Sequence, residues 1–108
     1  MILLERVMLT REGVGVHERI LYAMEILDKL HREIVGREAT IYSILDGRHH
    51  AGSRHYVGLA FDLRIWSIPE SSLVAFKAEL QRRLGIHYDV ILEPTHIHVE
   101  FDPQYESI

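Results

Sequence analysis

Apolar residues recur at helical spacing through Val16, Ile20, Met24, Leu27, Leu30 and Ile34, with Glu18, Glu25 and Lys29 set between them. An apolar stripe every three to four residues is the mark of a helix with one buried face. The pattern predicts a long amphipathic first helix ending at Gly36, entered through a short turn with Thr10 as its cap. Residues 39–45 read as a strand, and Asp46-Gly47-Arg48-His49-His50-Ala51-Gly52 as a polar, histidine-rich loop. From Gly58 onward the period falls to two: Leu59, Phe61, Leu63 and Ile65 share one face, and Gly58, Ala60, Asp62 and Arg64 share the other. Ser67-Ile68-Pro69-Glu70 has the spacing of a capping box and opens a second helix through Leu73, Phe76, Leu80 and Leu84, stopped at Gly85. Residues 88–92 and 96–101 then read as two strands joined by a tight turn at Glu93-Pro94-Thr95.

These elements predict an α+β domain spanning residues 1–108, an antiparallel sheet with two helices packed on its apolar face. With 108 residues, 47% of them hydrophobic, the chain can fill one core and no second one. A net charge of −4 without a Lys/Arg run leaves nucleic acid an unexpected partner, because phosphate-backbone binders cluster their cations. There is no cysteine, so any metal must be held by histidine and carboxylate. The apolar start is interrupted by Glu5 and Arg6, too short for a signal peptide or a membrane span. The expectation is a soluble protein made in the cytoplasm, which something else must deliver if it acts on a cell wall.

The chemistry is concentrated in two runs, Ser53 to Asp62 and Glu93 to Glu100. The last strand repeats the logic of the one carrying Asp62: Ile97, Val99 and Phe101 are apolar, and His96, His98 and Glu100 project from the opposite face. If the two strands are neighbours, Asp62 meets a histidine of the last strand. His55 joins them if the chain bends near Gly58, and Gly58 and Ala60 leave room beside the carboxylate. Two imidazoles and a carboxylate form the ligand set of a catalytic zinc site with one open position, and Glu93 is placed to act as its general base. Glu100 either orients a metal-bound histidine or is an exposed strand residue. His17, His31 and His87 are expected on the solvated surface. Ser53 is expected to fix its loop, and Tyr42, Tyr56 and Trp66 to pack in the core, with lining of a cleft as the alternative.

The run Ser53-Arg54-His55, with Gly58, Ala60 and Asp62 in place and Glu93 and His96-Ile97-His98 downstream, resembles a zinc peptidase family. That family includes D-Ala-D-Ala carboxypeptidases and dipeptidases, phage L-alanyl-D-glutamate endopeptidases and the hedgehog signalling domain. The resemblance covers residues 39–101 and implies a hedgehog/D-Ala-D-Ala-peptidase-like fold. It implies zinc held by His55, Asp62 and His98, Glu93 as catalytic base, and His96 as the neighbour that polarises the scissile carbonyl. Members with Glu-Pro-Trp-His place the liganding histidine three residues after the acid, which would make it His96; here Thr95 stands in place of the Trp. Members with His-x-His use the second histidine, which is His98. The family often holds substrate with an arginine, for which Arg48, Arg54 and Arg64 are candidates, with Ser53 and His50 as further substrate-side residues. The implied activity is zinc-dependent hydrolysis of an amide bond in peptidoglycan stem peptides, by a phage or bacterial wall-processing enzyme. The rival expectations are a non-hydrolytic metal-binding module of the same fold and a non-haem iron enzyme, whose facial triad uses the same ligand types.

Overall fold

A computed structural model of the chain describes residues 2–4, 10–11, 14–44 and 58–103. Strand β1 (Leu3–Leu4) leads to a small hairpin of β2 (Thr10–Arg11) and β3 (Val14–Gly15), followed by helix α1 (Glu18–Val35) and strand β4 (Thr40–Ser43). Then come β5 (Ala60–Arg64), a 3-10 turn at Glu70–Ser72, α2 (Leu73–Leu84), β6 (Tyr88–Leu92) and β7 (His96–Phe101). Among the described residues no helix is long and apolar enough to cross a membrane.

The periodic stretches fold into the predicted helices and strands, except that Ile34, at the end of the first stripe, is exposed. Helix α1 buries Ile20, Ala23, Met24, Leu27 and Leu30 along one stripe, and α2 buries Phe76, Leu80 and Leu84. Both stripes share a core with Ile41, Phe61, Leu63, Val90, Ile97 and Val99 of the sheet. Fully burying side chains of this size is worth about 1.5–3 kcal/mol each, so the apolar face of the sheet carries the fold. Gly36 ends α1 with φ 84°, its N–H donating to the Arg32 carbonyl, and Gly85 ends α2 with φ 89°.

The start of each helix departs from expectation. Thr10 pairs in the β2–β3 hairpin instead of capping α1. The cap is His17, whose extended backbone lets Nδ1 accept the Arg19 N–H at 3.1 Å. Ser67 does not cap α2 either; its hydroxyl lies 2.9 Å from Nε2 of His31, whose Nδ1 donates to the Arg37 carbonyl at 2.7 Å. His31 is therefore fully buried instead of solvated, its two ring nitrogens satisfied by the chain that leaves α1 and the chain that approaches α2.

The sheet runs β1-β4-β5-β7-β6. Its last three pairings are antiparallel, but β1 and β4 pair in parallel, so the sheet is mixed and not antiparallel throughout. The reason lies in the connection: the chain between β1 and β4 passes through α1, and a helical crossover returns a strand in its original direction, which a hairpin cannot do. At the opposite edge, the Gln81 side chain of α2 lies along β6. Its amide Nε2 donates to the Tyr88 carbonyl at 2.6 Å, and its Oε1 accepts the Val90 N–H at 3.0 Å.

Gly58 fixes the entry into β5. Its φ is 72°, its carbonyl accepts the His17 N–H at 3.0 Å, and a Cβ built on it would stand 2.2 Å from the Gly15 carbonyl oxygen. Gly36 also has a positive φ but meets nothing within 4 Å. Gly36→Ala is therefore expected to cost about 1 kcal/mol, the backbone penalty alone. Gly58→Ala adds a backbone collision and is expected to cost distinctly more, above about 2 kcal/mol. Urea unfolding of the two variants side by side measures the difference.

Candidate functional site

The site occupies the sheet face opposite the helices. Because Phe61, Leu63, Ile97 and Val99 point into the core, the intervening Asp62 and Arg64 of β5 and His96, His98 and Glu100 of β7 must stand on the other side. The register sets Asp62 directly across from His98, Arg64 across from His96 and Ala60 across from Glu100. The pairing expected from sequence parity is the pairing observed.

His98 lies between two carboxylates. Its Nδ1 donates to Asp62 Oδ1 at 3.0 Å and its Nε2 to Glu100 Oε1 at 2.9 Å. Burial opposes a charged imidazole here, but the hydrogen bonds and charges of Asp62 and Glu100 outweigh it and raise the His98 pKa above its ordinary 6.5. Asp62 is only 5% exposed, so its charge needs such partners. His96 approaches the same carboxylate, with Nε2 3.8 Å from Asp62 Oδ1, while its Nδ1 is hydrogen-bonded to Thr95 Oγ1 at 3.0 Å.

Next to this group stand Arg64, a substrate-side candidate, and two rings expected in the core, with a cleft as the alternative. The Arg64 guanidinium carbon lies 3.9 Å from the centre of the Tyr42 ring and 4.8 Å from that of Trp66, and Tyr42 meets His96 edge to face at 5.9 Å. Tyr42 and Trp66 are thus not core residues: Tyr42 sits on the open face and Trp66 is 71% exposed. Burial raises the Tyr42 pKa, the Asp62 charge raises it further, and Arg64 acts against both. The signal that could have located Tyr42 is its place in β4, one residue after the core-facing Ile41.

Glu93 is half-buried in the turn that leads into β7, and its N–H donates to the His96 carbonyl at 2.9 Å. The turn sets it at the end of the face where Arg64 and His96 pair. The structure thus brings Asp62, His96 and His98 together, with Arg64 beside them and Glu93 on the adjoining turn. His55, Ser53, Arg48, His50, Arg54 and Tyr56 lie outside the described residues.

Two ligand atoms bound to one tetrahedral zinc at about 2.0–2.2 Å each lie roughly 3.3 Å apart. The His98 to Asp62 separation of 3.0 Å needs only a few tenths of an ångström to open to that value, and the 3.8 Å of His96 needs a similar closure. Both histidines fit by distance, so their outer contacts distinguish them. A metal-binding histidine commonly gives its other ring nitrogen to a carboxylate or carbonyl, which His98 does through Glu100 and His96 does not. On the same sheet face, Asp89, Glu100 and Asp102 hold carboxylate oxygens within 4.8 Å of one another, a grouping common on protein surfaces without an ion.

The chain matches no protein-family model, no curated protein and no solved structure.

The raised His98 pKa predicts a pH dependence for the metal-free protein. Between 6.5 and the higher folded value the native state binds the proton more tightly than the unfolded chain, so the stabilisation is complete at low pH and is lost as the pH rises through the folded value. Urea unfolding of metal-stripped protein from pH 6 upward is expected to show declining stability, and His98→Gln is expected to flatten that decline. An unchanged slope in the variant would place the titration elsewhere.

Proposed function

We propose that the chain is a zinc-dependent peptidase of the D-Ala-D-Ala-peptidase type, acting on peptidoglycan stem peptides. The observation that carries the reading is the His98 imidazole held between Asp62 and Glu100 on the sheet face opposite α1 and α2, with His96 at the same carboxylate. That arrangement supplies a ligand pair together with the outer carboxylate that fixes a ligating ring. His55, Asp62 and His98 are the residues we assign to the metal, and the support for His98 over His96 is its contact with Glu100.

A zinc ion in such a site supplies a Lewis acid and makes water nucleophilic at neutral pH. The roles of the chain follow from its positions. Glu93, on the turn beside His96, takes the proton of the attacking water and returns it to the departing amine, so that one water is consumed for each amide bond cleaved. His96, held by Thr95 and Tyr42, hydrogen-bonds the carbonyl oxygen on which charge develops. Arg64 supplies a guanidinium for the substrate, and Ser53, Arg48 and His50 are proposed as further substrate contacts. A phage or bacterial wall-processing role, with delivery by another component, belongs to the same proposal.

The test separates ligand from base. Zinc that binds only the folded state adds about 4 kcal/mol of stability at a thousandfold excess over Kd. His55→Ala and His98→Ala are therefore expected to lose zinc and melt at lower temperature. Glu93→Gln is expected to keep both while hydrolysis of purified peptidoglycan, followed by mass analysis of released fragments, falls on the order of 10²-fold or more. His96→Ala is expected to behave like Glu93→Gln. Loss of zinc in His96→Ala with retention in His98→Ala would reverse the choice of third ligand. Wild-type protein that holds zinc yet releases no fragment would defeat the hydrolytic reading.

A further inference from the structure

Strand β4 does not pair regularly with β5. Ile41 lies opposite Leu63, so an unbroken antiparallel ladder would set Ser43 opposite Phe61; Ser43 instead lies opposite Asp62. One extra residue has entered β4 between those pairs, and Tyr42 and Ser43 together face Asp62 alone. A bulge of this kind breaks the alternation of side chains and re-aims one of them. Its product here is that Ile41 and Ile44 both remain in the core, while the Tyr42 ring reaches over the neighbouring strand. There it takes the Arg64 guanidinium on its face at 3.9 Å and the His96 ring at 5.9 Å edge to face.

We infer that Tyr42, set across from Asp62 at the β4 bulge, is a positioning residue of the site: its ring fixes the orientation of His96 and Arg64 relative to Asp62. The inference rests on the peptidase reading for its catalytic consequence and on geometry alone for the ordering itself. Arg64 and His96 are cross-strand partners with long or freely rotating side chains. Each carries rotatable side-chain bonds whose freedom a packed ring restricts. Tyr42 restricts both at once, Trp66 offers the guanidinium a second ring at 4.8 Å, and Thr95 holds the remaining nitrogen of His96. The ring of Tyr42, as distinct from its hydroxyl, does this work. A cation-π contact of a guanidinium with an aromatic face favours the rotamer that makes it over those that do not.

Two substitutions separate ring from hydroxyl. Tyr42→Phe keeps the ring, and Tyr42→Met keeps most of the volume without it. In zinc-loaded protein, Tyr42→Phe is expected to retain kcat within about twofold, and Tyr42→Met to lose about tenfold or more in kcat with a raised KM and unchanged zinc content, since small misplacements of reacting groups are costly. A second readout needs no activity: the Arg64 side-chain and His96 ring proton resonances carry the ring-current shift of Tyr42, which Tyr42→Phe keeps and Tyr42→Met abolishes. A wild-type kcat in Tyr42→Met, or an equal loss in Tyr42→Phe, overturns the inference. If the wild-type protein cleaves no peptide, the peptidase reading fails and the resonances decide alone: shifts that are the same in wild type and Tyr42→Met overturn the positioning role. Should Tyr42→Met not fold, Tyr42→Phe still decides, because movement of either the kcat or the resonances in that variant contradicts a role carried by the ring.

Discussion

The register between β5 and β7 is the constraint on which the rest depends. Phe61 and Leu63 face the helices together with Ile97 and Val99, and a slip of one residue would turn one strand's pair of those side chains into water and its polar residues into the core. The hydrophobic effect therefore enforces a polar pairing it does not itself contact. Asp62 is held opposite His98 because the residues on either side of each must be buried. The geometry of the site is inherited from the packing behind it, and the strands that carry it are central in the sheet, where neither can fray away.

That inheritance explains what could be read from the chain. Parity along Leu59 to Arg64 and along His96 to Phe101 is a local property, so both strands, their faces and the meeting of Asp62 with His98 were legible, as were the turn at Glu93-Pro94-Thr95 and the stops at Gly36 and Gly85. The two-residue strands were not, because Leu3–Leu4 and Thr10–Arg11 are too short to show any period. The parallel edge followed from that miss. Ser67 and Thr10 have the chemistry of helix caps, but Ser67 is drawn to a buried histidine 36 residues away and Thr10 to a hairpin. His31 reads as surface because nothing beside it in sequence announces its two partners.

Within the site the same division holds. Asp62, His96, His98 and Glu93 could be named from pattern. The part played by Glu100 was one of two open readings until its carboxylate was found against Nε2 of His98. The parity of β4 places Tyr42 one residue after core-facing Ile41, but its contacts with Arg64 and His96 depend on strands far away in sequence and leave no mark on β4 alone. Trp66 looked like core by composition, yet its ring flanks a cation at the rim of the site.

The Gln81 side chain along β6 has a consequence for traffic across the molecule. Val90 and Tyr88 offer the outward-facing amide and carbonyl that an incoming strand would seek, and a single carboxamide from α2 already occupies both. An extended peptide arriving at this border meets that carboxamide at two of the backbone groups with which it would pair. That stretch of the border is thereby blunted against strand addition by a side chain from the helix packed behind it.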